Sequence, residues 1–323
     1  MSTDPSVLIL HSILAVSALV INGTLLTCLL MRTQITFRSF AILMRIHVLA
    51  DMCNVICCFG HMDRVIPAYW NIIFISYGPC TLVSPILCYV FYNCFLVASC
   101  ASFYTTIASF LARLHILKHG SISPKKIWSL VGSIIVPPCA ALAIGFAFAK
   151  MPDSEAREIY HEFAPTENLT GLVITGNVHY LHPAMFTAMF IVFVLITPMY
   201  LVIWLVRSQI LARLSLSSAT LMSGQSRLLH RQFVKVLTLQ ALSPALVMTG
   251  LWTYALRQTQ LVPTTVLLEC TVIFFAELPA LLNPLIVFAC IPVFRGIVRS
   301  ALRGVESTSK LELTMSSNAG AKN

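Results

Sequence analysis

The chain has 323 residues, of which 58% are hydrophobic and only 10% are charged. A soluble domain carries about 25% charged residues, so this composition excludes an ordinary soluble protein and indicates a membrane protein. The net charge of +9 does not indicate a nucleic-acid-binding protein, because that function needs a basic face on a soluble fold, and here the basic residues lie between apolar segments.

Seven apolar segments are long enough to cross a bilayer, which takes about 20 residues. They cover residues 7–31, 41–65, 80–112, 127–149, 183–206, 233–256 and 265–291. The boundary between the second and third is the least defined, because residues 64–80 are amphipathic and irregular. The sequence therefore predicts an all-α membrane protein, with a bundle of seven transmembrane helices over residues 1–306 and a disordered cytoplasmic tail over residues 307–323.

The distribution of basic residues predicts the orientation, because Lys and Arg collect on the cytoplasmic side of membrane proteins. With the N-terminus outside, all but four of the 21 Lys and Arg residues fall on the inner side. The exceptions are Arg64, Lys150, Arg157 and Arg257. We therefore expect the N-terminus outside and the C-terminus inside. We find no repeat between the two halves, which argues against transporters built from duplicated units.

An acidic loop between the fourth and fifth spans lies on the predicted outer side. It contains the sequon Asn168-Leu169-Thr170, and a sequon in an outer loop is accessible to glycosylation. The agreement between the sequon and the charge-based topology predicts that Asn168 is glycosylated.

Polar side chains inside a membrane are costly and usually face the interior of the bundle. Asn22, Asp51 and Asn283 each lie about 15–18 Å from the inner boundary at 1.5 Å per residue, so three helices place polar side chains in one layer. The layer is either a hydrogen-bonded contact between the first, second and seventh spans, or a switch that is hydrated or holds sodium. We favour structure with some switching role over ion binding.

Two prolines in the apolar spans each lie close to a polar side chain. Pro284 directly follows Asn283, and Pro244 lies one turn after Gln240. A proline bends a helix and frees a backbone carbonyl, which in a membrane needs a nearby partner. Each site is either a static kink or part of a moving pair, and two such sites in adjacent helices favour movement.

Basic residues with helical spacing mark the cytoplasmic ends of the spans. Arg295, Arg299 and Arg303 recur every four residues after Pro292, which predicts a short amphipathic helix on an anionic inner leaflet, with membrane lipid as its partner. A second basic set consists of Arg113, Arg227, Arg231 and Lys235. Either a cytoplasmic partner contacts this second set, or its charges only set the topology.

A ligand pocket would open outward between the third, fifth, sixth and seventh spans. Aromatic rings with a few polar groups suit small-molecule sites. The candidate lining residues are Tyr89, Tyr92, Asn93, Trp252, Tyr254, Glu269 and Glu277. The same side chains would equally serve as interfacial anchors or as packing. Glu277 is the most informative, because a carboxylate near the middle of a membrane is protonated, paired or facing a ligand.

Seven spans with an outer N-terminus, an arginine ending the third span and Asn-Pro in the seventh resemble a G-protein-coupled receptor. Three features depart from the usual pattern. The sequence Ala112-Arg113-Leu114 replaces Asp/Glu-Arg-Tyr, and Val287 takes the tyrosine position of the motif that begins with Asn-Pro. Residues 150–182 contain no cysteine for the common bridge from Cys80. The chain is therefore not an ordinary rhodopsin-like receptor.

Four stretches carry a narrower resemblance. They are YGPCTLVSPILCYVFYNC (77–94), SFLARLHIL (109–117), LTLQALSPAL (237–246) and ELPALLNPLIVFACIPVFR (277–295). These stretches resemble nematode serpentine chemoreceptors, most closely the delta class, called Srd. The Gly-Pro-Cys pattern followed by Pro-x-x-Cys is the most specific part of the resemblance, which runs over most of the chain.

This resemblance implies a multi-pass plasma-membrane receptor, located on the cilia of sensory neurons, that detects a small-molecule odorant or pheromone and signals through a heterotrimeric G protein. Arg113 would then contact the G protein, although its usual acidic partner is missing. We expect no enzymatic activity, cofactor or bound metal, and residues 258–294 contain no lysine to hold retinal. The alternatives are a ligand-gated channel and a small-molecule transporter.

Overall fold

The computed structural model describes residues 5–31, 38–216, 224–259, 265–292 and 294–296. Its α-helices are, in chain order, α1 (Pro5–Met31), α2 (Arg38–His61), α3 (Pro85–His119), α4 (Pro124–Ile134), α5 (Val136–Ala149), α6 (Asp153–Phe163), α7 (Pro183–Met189), α8 (Ile196–Leu216), α9 (Gly224–Gln240), α10 (Ser243–Gln258) and α11 (Val266–Cys290). Three strands, β1 (Asp63–Ala68), β2 (Asn71–Ser76) and β3 (Val173–Asn177), form one antiparallel sheet.

The helices form the predicted seven-span bundle. Six of the described helical stretches are long and apolar enough to cross a membrane, with α4 and α5 counted together and α9 and α10 counted together. The fifth span consists of α7 and α8, which are joined by a π-helical segment at Phe190–Leu195. Its apolar stretch Pro183–Val192 is shorter than the other six.

Prolines explain two interruptions within the spans. The helices α4 and α5 meet at Ile135, just before Pro137 and Pro138, which have no backbone N–H to continue the hydrogen-bond ladder. The helices α9 and α10 are separated by a turn at residues 241–242, and Pro244 lies in the first turn of α10. The kink predicted at Pro244 is therefore a complete break between two helices.

The segment between the second and third spans forms a hairpin that joins a sheet. β1 pairs with β2, and β2 pairs with β3 from the loop after the fourth span. One face, with Val65, Ile72 and Phe74, packs on the helical bundle. The other face, with Ile66 and Ile73, packs against α6. The sheet thus covers the predicted outer end of the bundle and is itself covered by α6.

The predicted end of the second span at residue 65 and the predicted start of the third at residue 80 are therefore wrong. α2 ends at His61, and α3 begins at Pro85, where Ser84 accepts a capping hydrogen bond from the backbone of Leu87. Because both faces of the hairpin are buried, its apolar residues form a continuous run. Periodicity alone does not distinguish such a run from the end of a buried helix.

The Gly-Pro-Cys and Pro-x-x-Cys pattern closes a small covalent loop at the start of α3. Cys80 and Cys88 form a disulfide with Cα atoms 5.0 Å apart. Gly78 lies where an added Cβ would clash with the carbonyl oxygen of Gly60, so only glycine allows this approach to the end of α2. Cys80, which lies just before the third span, therefore pairs with Cys88 inside that span rather than with the loop after the fourth.

Replacing both disulfide cysteines by serine, Cys80→Ser with Cys88→Ser, is expected to lower the free energy of unfolding by about 2–3 kcal/mol, because the small loop gains entropy in the unfolded chain. The measurement is the apparent melting temperature of the purified protein in detergent. Cys94→Ser, which removes an exposed free thiol on the same helix, is the control. An unchanged melting temperature in the double variant would contradict a stabilising role for the disulfide.

Candidate functional site

A cavity of about 460 Å³ lies between the sheet and the third, fifth, sixth and seventh spans. Val65 and Ile72 form its wall on the side of the sheet, and Tyr92, Tyr180 and Tyr254 supply hydroxyl groups. The described residues that line it include no charged side chain. Its size falls within the range of about 300–1,000 Å³ typical of small-molecule sites.

A smaller cavity of about 120 Å³ continues toward the middle of the bundle. Both cavities are lined by Tyr92, Leu251 and Val272, so they share a wall. The inner cavity also contacts Asp51 and Ser102. A molecule in the outer cavity would therefore lie one layer of side chains away from the polar residues in the bundle.

The structure places Tyr92 and Tyr254 in the cavity wall and gives two other predicted residues a packing role. The Tyr89 hydroxyl lies 2.6 Å from Asn177 Oδ1, at the end of β3, and 2.5 Å from the carbonyl oxygen of Phe146. Asn93 Nδ2 donates to the carbonyl oxygen of Ala143 at 3.2 Å. Tyr89 therefore ties the sheet to α3 and α5, and Asn93 ties α3 to α5.

Trp252 lies outside the cavity, which corrects its assignment as a lining residue. Its side chain is 60% exposed on the surface of the bundle, whereas Leu251 and Tyr254 line the cavity. Two positions along an α-helix correspond to a rotation of about 200°, so Trp252 and Tyr254 point in nearly opposite directions. Trp252 fits the other interpretation given above, an anchor on the outside of the bundle.

Glu269 belongs to a buried ion network at the predicted outer end. Its Oε1 accepts a hydrogen bond from Arg257 Nη2 at 2.7 Å, and its Oε2 pairs with Arg64 Nε. Arg64 also contacts Glu167 at 3.0 Å, and Arg257 donates to the carbonyl oxygen of Val65 at 3.3 Å. Two arginines and two glutamates thus join the hairpin, the sixth and seventh spans and the loop after α6.

The contacts within the network favour the ionised forms of Glu167 and Arg64 despite their burial. Burial works to raise the pKa of Glu167, but hydrogen bonds from Arg64 and Tyr160 outweigh it, so the pKa lies below its ordinary value. Burial also works to lower the pKa of Arg64, yet the contacts with Glu167 and Glu269 raise it. Ionised Glu167 therefore stabilises the fold above its ordinary pKa and loses this effect as pH falls through the lowered value.

The structure brings Asp51 and Asn283 together in the predicted polar layer. Asn283 Nδ2 donates to Asp51 Oδ2 at 3.0 Å, and Ser102 Oγ donates to Asp51 Oδ1 at 2.8 Å. Ser243 Oγ lies 3.1 Å from Asn283 Oδ1, and His47 Nε2 lies 3.4 Å from Asp51 Oδ2. The layer therefore joins the second, third, sixth and seventh spans rather than the first, second and seventh.

Side-chain groups face the carbonyls freed by Pro284 and Pro244. Pro284 has no N–H for the carbonyl oxygen of Ala280, four residues earlier, and Asn22 Nδ2 donates to this oxygen at 2.7 Å. In the same way Pro244 frees the carbonyl of Gln240, and Ser243 Oγ lies 2.8 Å from it. Asn22 therefore satisfies the break in the seventh span, which gives this residue a role separate from the contacts of Asp51.

The sequence reasoning missed His47, Ser102 and Ser243 as members of the polar layer. Serine is common in helices, where its hydroxyl often bonds to its own backbone, so its presence gives little indication of a long-range contact. The position of Ser243 beside Pro244 was an available signal. Gln240 is buried and lines a small space with Asp51 and Asn283.

The predicted cytoplasmic set is divided between the interior and the surface. Arg113 is buried, and its guanidinium lies 4.6 Å from the centre of the Phe233 ring. Arg231 and Lys235 are exposed and line a groove with Arg207. Arg227 lies in α9, and its side chain is outside the described residues.

Two further predictions concern the ends of the chain and the outer loop. Asn168 is exposed in the loop between α6 and β3, which leaves it accessible for glycosylation. A helical turn at residues 294–296 follows the seventh span. Arg299, Arg303 and the tail at 307–323 lie outside the described residues, so the amphipathic helix remains a prediction.

Comparison with known proteins agrees with this architecture. The family model for serpentine type 7TM GPCR chemoreceptor Srd matches residues 7–300. Serpentine receptor class delta-1 of Caenorhabditis elegans is 26% identical over 73% of this chain and 66% of its own length, so the match spans just under two thirds of that relative. Serpentine receptor class delta-3 of the same organism is 26% identical over 92% of this chain and 90% of its own length.

Among solved structures, squid rhodopsin has the same fold. It superposes with a TM-score of 0.68 at 12% sequence identity, covering 94% of this chain and 81% of the rhodopsin chain. The structural likeness concerns the fold alone, whereas the family model covers nearly the whole sequence. The chain is a multi-pass membrane protein, and it belongs to the Srd family of serpentine seven-transmembrane GPCR chemoreceptors, a receptor family rather than an enzyme family.

Proposed function

We propose that this protein detects a small, uncharged and largely apolar molecule in the outer cavity and signals through a heterotrimeric G protein. The observation that carries the proposal is the cavity itself. Its described lining is apolar apart from three tyrosines, Gln258 and Thr259. A charged ligand would lose its hydration there with no opposite charge on the wall, which costs several kcal/mol.

The position of the cavity supports a route from ligand to signal. The cavity shares a wall with the inner cavity that reaches Asp51 and Ser102. These residues join four spans, two of which are interrupted or altered at prolines. A ligand that packs better against one arrangement of these spans shifts the population toward it. On this proposal, the receptor acts in the plasma membrane of sensory neurons and their cilia.

The test is a response assay in cells that express the chain, with and without a promiscuous Gα subunit, against a panel of small neutral and charged molecules. We expect responses to neutral apolar members only, and only with Gα present. A signal that persists without Gα would support the channel alternative. Responses confined to charged molecules would contradict the proposed ligand class.

Filling the cavity is expected to weaken the response without removing the protein from the cell surface. Leu251→Trp places a larger ring in the cavity wall, and an overpacking cost of about 1–3 kcal/mol in the ligand-bound state corresponds to about a 5- to 150-fold increase in the half-maximal ligand concentration. Trp252→Leu, at the next position but on the outer surface, is the matched control. Equal sensitivity of the two variants would contradict the assigned cavity.

A further inference from the structure

A cluster of a histidine, a cysteine and a glutamate lies between α1, α2 and α11. It does not line either of the two cavities described above. It consists of His11, Cys58 and Glu277, whose nitrogen, sulfur and oxygen atoms all lie within 4.8 Å of one another. His11 Nδ1 and Glu277 Oε2 are 2.8 Å apart. All three residues are buried, with exposed fractions of 4%, 1% and 1%.

Glu277 has unused binding capacity in this cluster. Its Oε1 is buried and has no hydrogen-bond partner among the described residues, while the Cys58 thiol lies beside the carboxylate. A buried oxygen without a partner is costly. The pairing with His11 accounts for one oxygen of Glu277, and the Cys58 thiol beside this carboxylate supplies at most a weak hydrogen bond to it.

We propose that His11, Cys58 and Glu277 bind one Zn²⁺ ion. Imidazole nitrogen, thiolate sulfur and carboxylate oxygen are the three ligand types that zinc uses in proteins. Two ligand atoms on a tetrahedral zinc ion lie about 3.3–3.7 Å apart, so the cluster needs small side-chain adjustments. Three protein ligands leave a fourth position for water or another small ligand.

The charge balance favours an ion of this kind in a membrane. A neutral imidazole, one thiolate and one carboxylate carry two negative charges, which Zn²⁺ neutralises, so the bound site has no net charge to bury. Zinc takes thiol and carboxyl ligands in their deprotonated forms, so binding at this site would release the protons that these groups hold.

The site would connect three spans at a level distinct from the polar layer. His11 lies in α1, Cys58 in α2 and Glu277 in α11, and the ring of Phe274 meets the His11 ring edge-on, with centroids 6.2 Å apart. A metal bridge between these helices stabilises the folded state by mass action, because the unfolded chain does not present the three ligands together.

The experiment uses the full chain purified in detergent, stripped of metal and reloaded with zinc. Bound zinc is then counted by mass spectrometry after free metal is removed. We expect about one ion per chain and a rise in the apparent melting temperature. Cobalt(II) in place of zinc is expected to give the near-ultraviolet absorption band of a cobalt–thiolate bond. Absence of this band in the wild-type protein would overturn the proposal whether or not any variant folds.

Three variants separate the site from adventitious binding. Cys58→Ser keeps a hydrogen-bonding group of similar size but is expected to lose the cobalt–thiolate band and at least about tenfold in zinc affinity. Cys57→Ser, at the neighbouring buried cysteine, is expected to keep both. His179→Ala with His182→Ala removes an exposed histidine pair in the outer loop and is also expected to keep both. If zinc is lost in this last variant and retained in Cys58→Ser, the binding is adventitious and the proposal fails.

Discussion

Replacing Glu269 by glutamine is expected to destabilise the protein by about 3–5 kcal/mol, the effect of removing one partner from a buried ion pair. Glu269 is the shared partner of Arg64 and Arg257, whose side chains are 5% and 0% exposed. In the variant both guanidinium groups stay buried while the carboxylate between them is gone. Arg64 keeps Glu167, but among the described residues Arg257 keeps only its hydrogen bond to the carbonyl oxygen of Val65.

The measurement is the apparent melting temperature in detergent, which we expect to fall by on the order of 5–10 °C. Glu162→Gln, at an exposed position of α6, makes the same chemical change on the surface and is expected to leave the melting temperature unchanged. The packing of the sheet is then tested by proteolysis of the loop between α6 and β3, which should become faster in Glu269→Gln only. Equal melting temperatures for the two variants would show that the network does not hold the sheet.

This network also explains why Glu269 was a misleading candidate for ligand contact. An acidic residue in a transmembrane segment either has a functional role or is paired with another charged group. The sequence does not show which of these two explanations applies to Glu269. The partner Arg64 is 205 positions away and lies on a hairpin that the apolar pattern did not reveal. The partner of Glu277 is equally distant in the sequence, because His11 lies 266 positions away.

The parts of the fold that sequence predicted well are those that depend on regular helices. Counting residues from the basic inner ends placed Asp51 and Asn283 at one depth, and their side chains do meet. The depth calculation does not specify rotation about the helix axis. It therefore put Asn22 in the same contact, whereas Asn22 instead donates to the carbonyl oxygen of Ala280.

The parts that sequence did not predict depend on contacts between distant segments. The hairpin is buried on both faces, so its residues lack the alternation of a strand with one exposed face. His11, Cys58 and Glu277 are single residues on three helices, without any local spacing pattern, and only the packing of those helices places them together.

The largest effect inside the bundle is expected for Asp51→Asn. In the native layer Asp51 accepts hydrogen bonds from both Asn283 and Ser102. An asparagine at position 51 has one acceptor oxygen, and its amide then faces the amide of Asn283. A hydrogen bond inside a protein contributes about 0.5–1.5 kcal/mol to stability, so the variant is expected to lose at least one such contribution and to respond weakly to ligand.

The reciprocal exchange, Asp51→Asn with Asn283→Asp, is expected to recover most of this loss. The new amide at position 51 would accept from Ser102 through its oxygen and donate through its nitrogen to the carboxylate at position 283, whose second oxygen still accepts from Ser243. The bonds that link positions 51 and 283 to each other, to Ser102 and to Ser243 then have counterparts, whereas the contact of His47 with Asp51 Oδ2 is lost. We expect a coupling free energy of at least about 1 kcal/mol between the two positions in a double-mutant cycle of thermal stability.

The matched control is Asp51→Asn with Asn22→Asp, which restores the composition and formal charge of the whole chain without restoring the contact between positions 51 and 283. Asn22 acts as a donor to the carbonyl oxygen of Ala280, and an ionised carboxylate has no proton to donate. This combination should therefore be worse than Asp51→Asn alone. Recovery in the exchange with Asn283 and further loss with Asn22 would show that two separate contacts exist. One joins Asp51 to Asn283, and the other joins Asn22 to the carbonyl oxygen freed by Pro284. If the exchange is no more stable than Asp51→Asn, then the bond between Asp51 and Asn283 does not carry the coupling between the second and seventh spans.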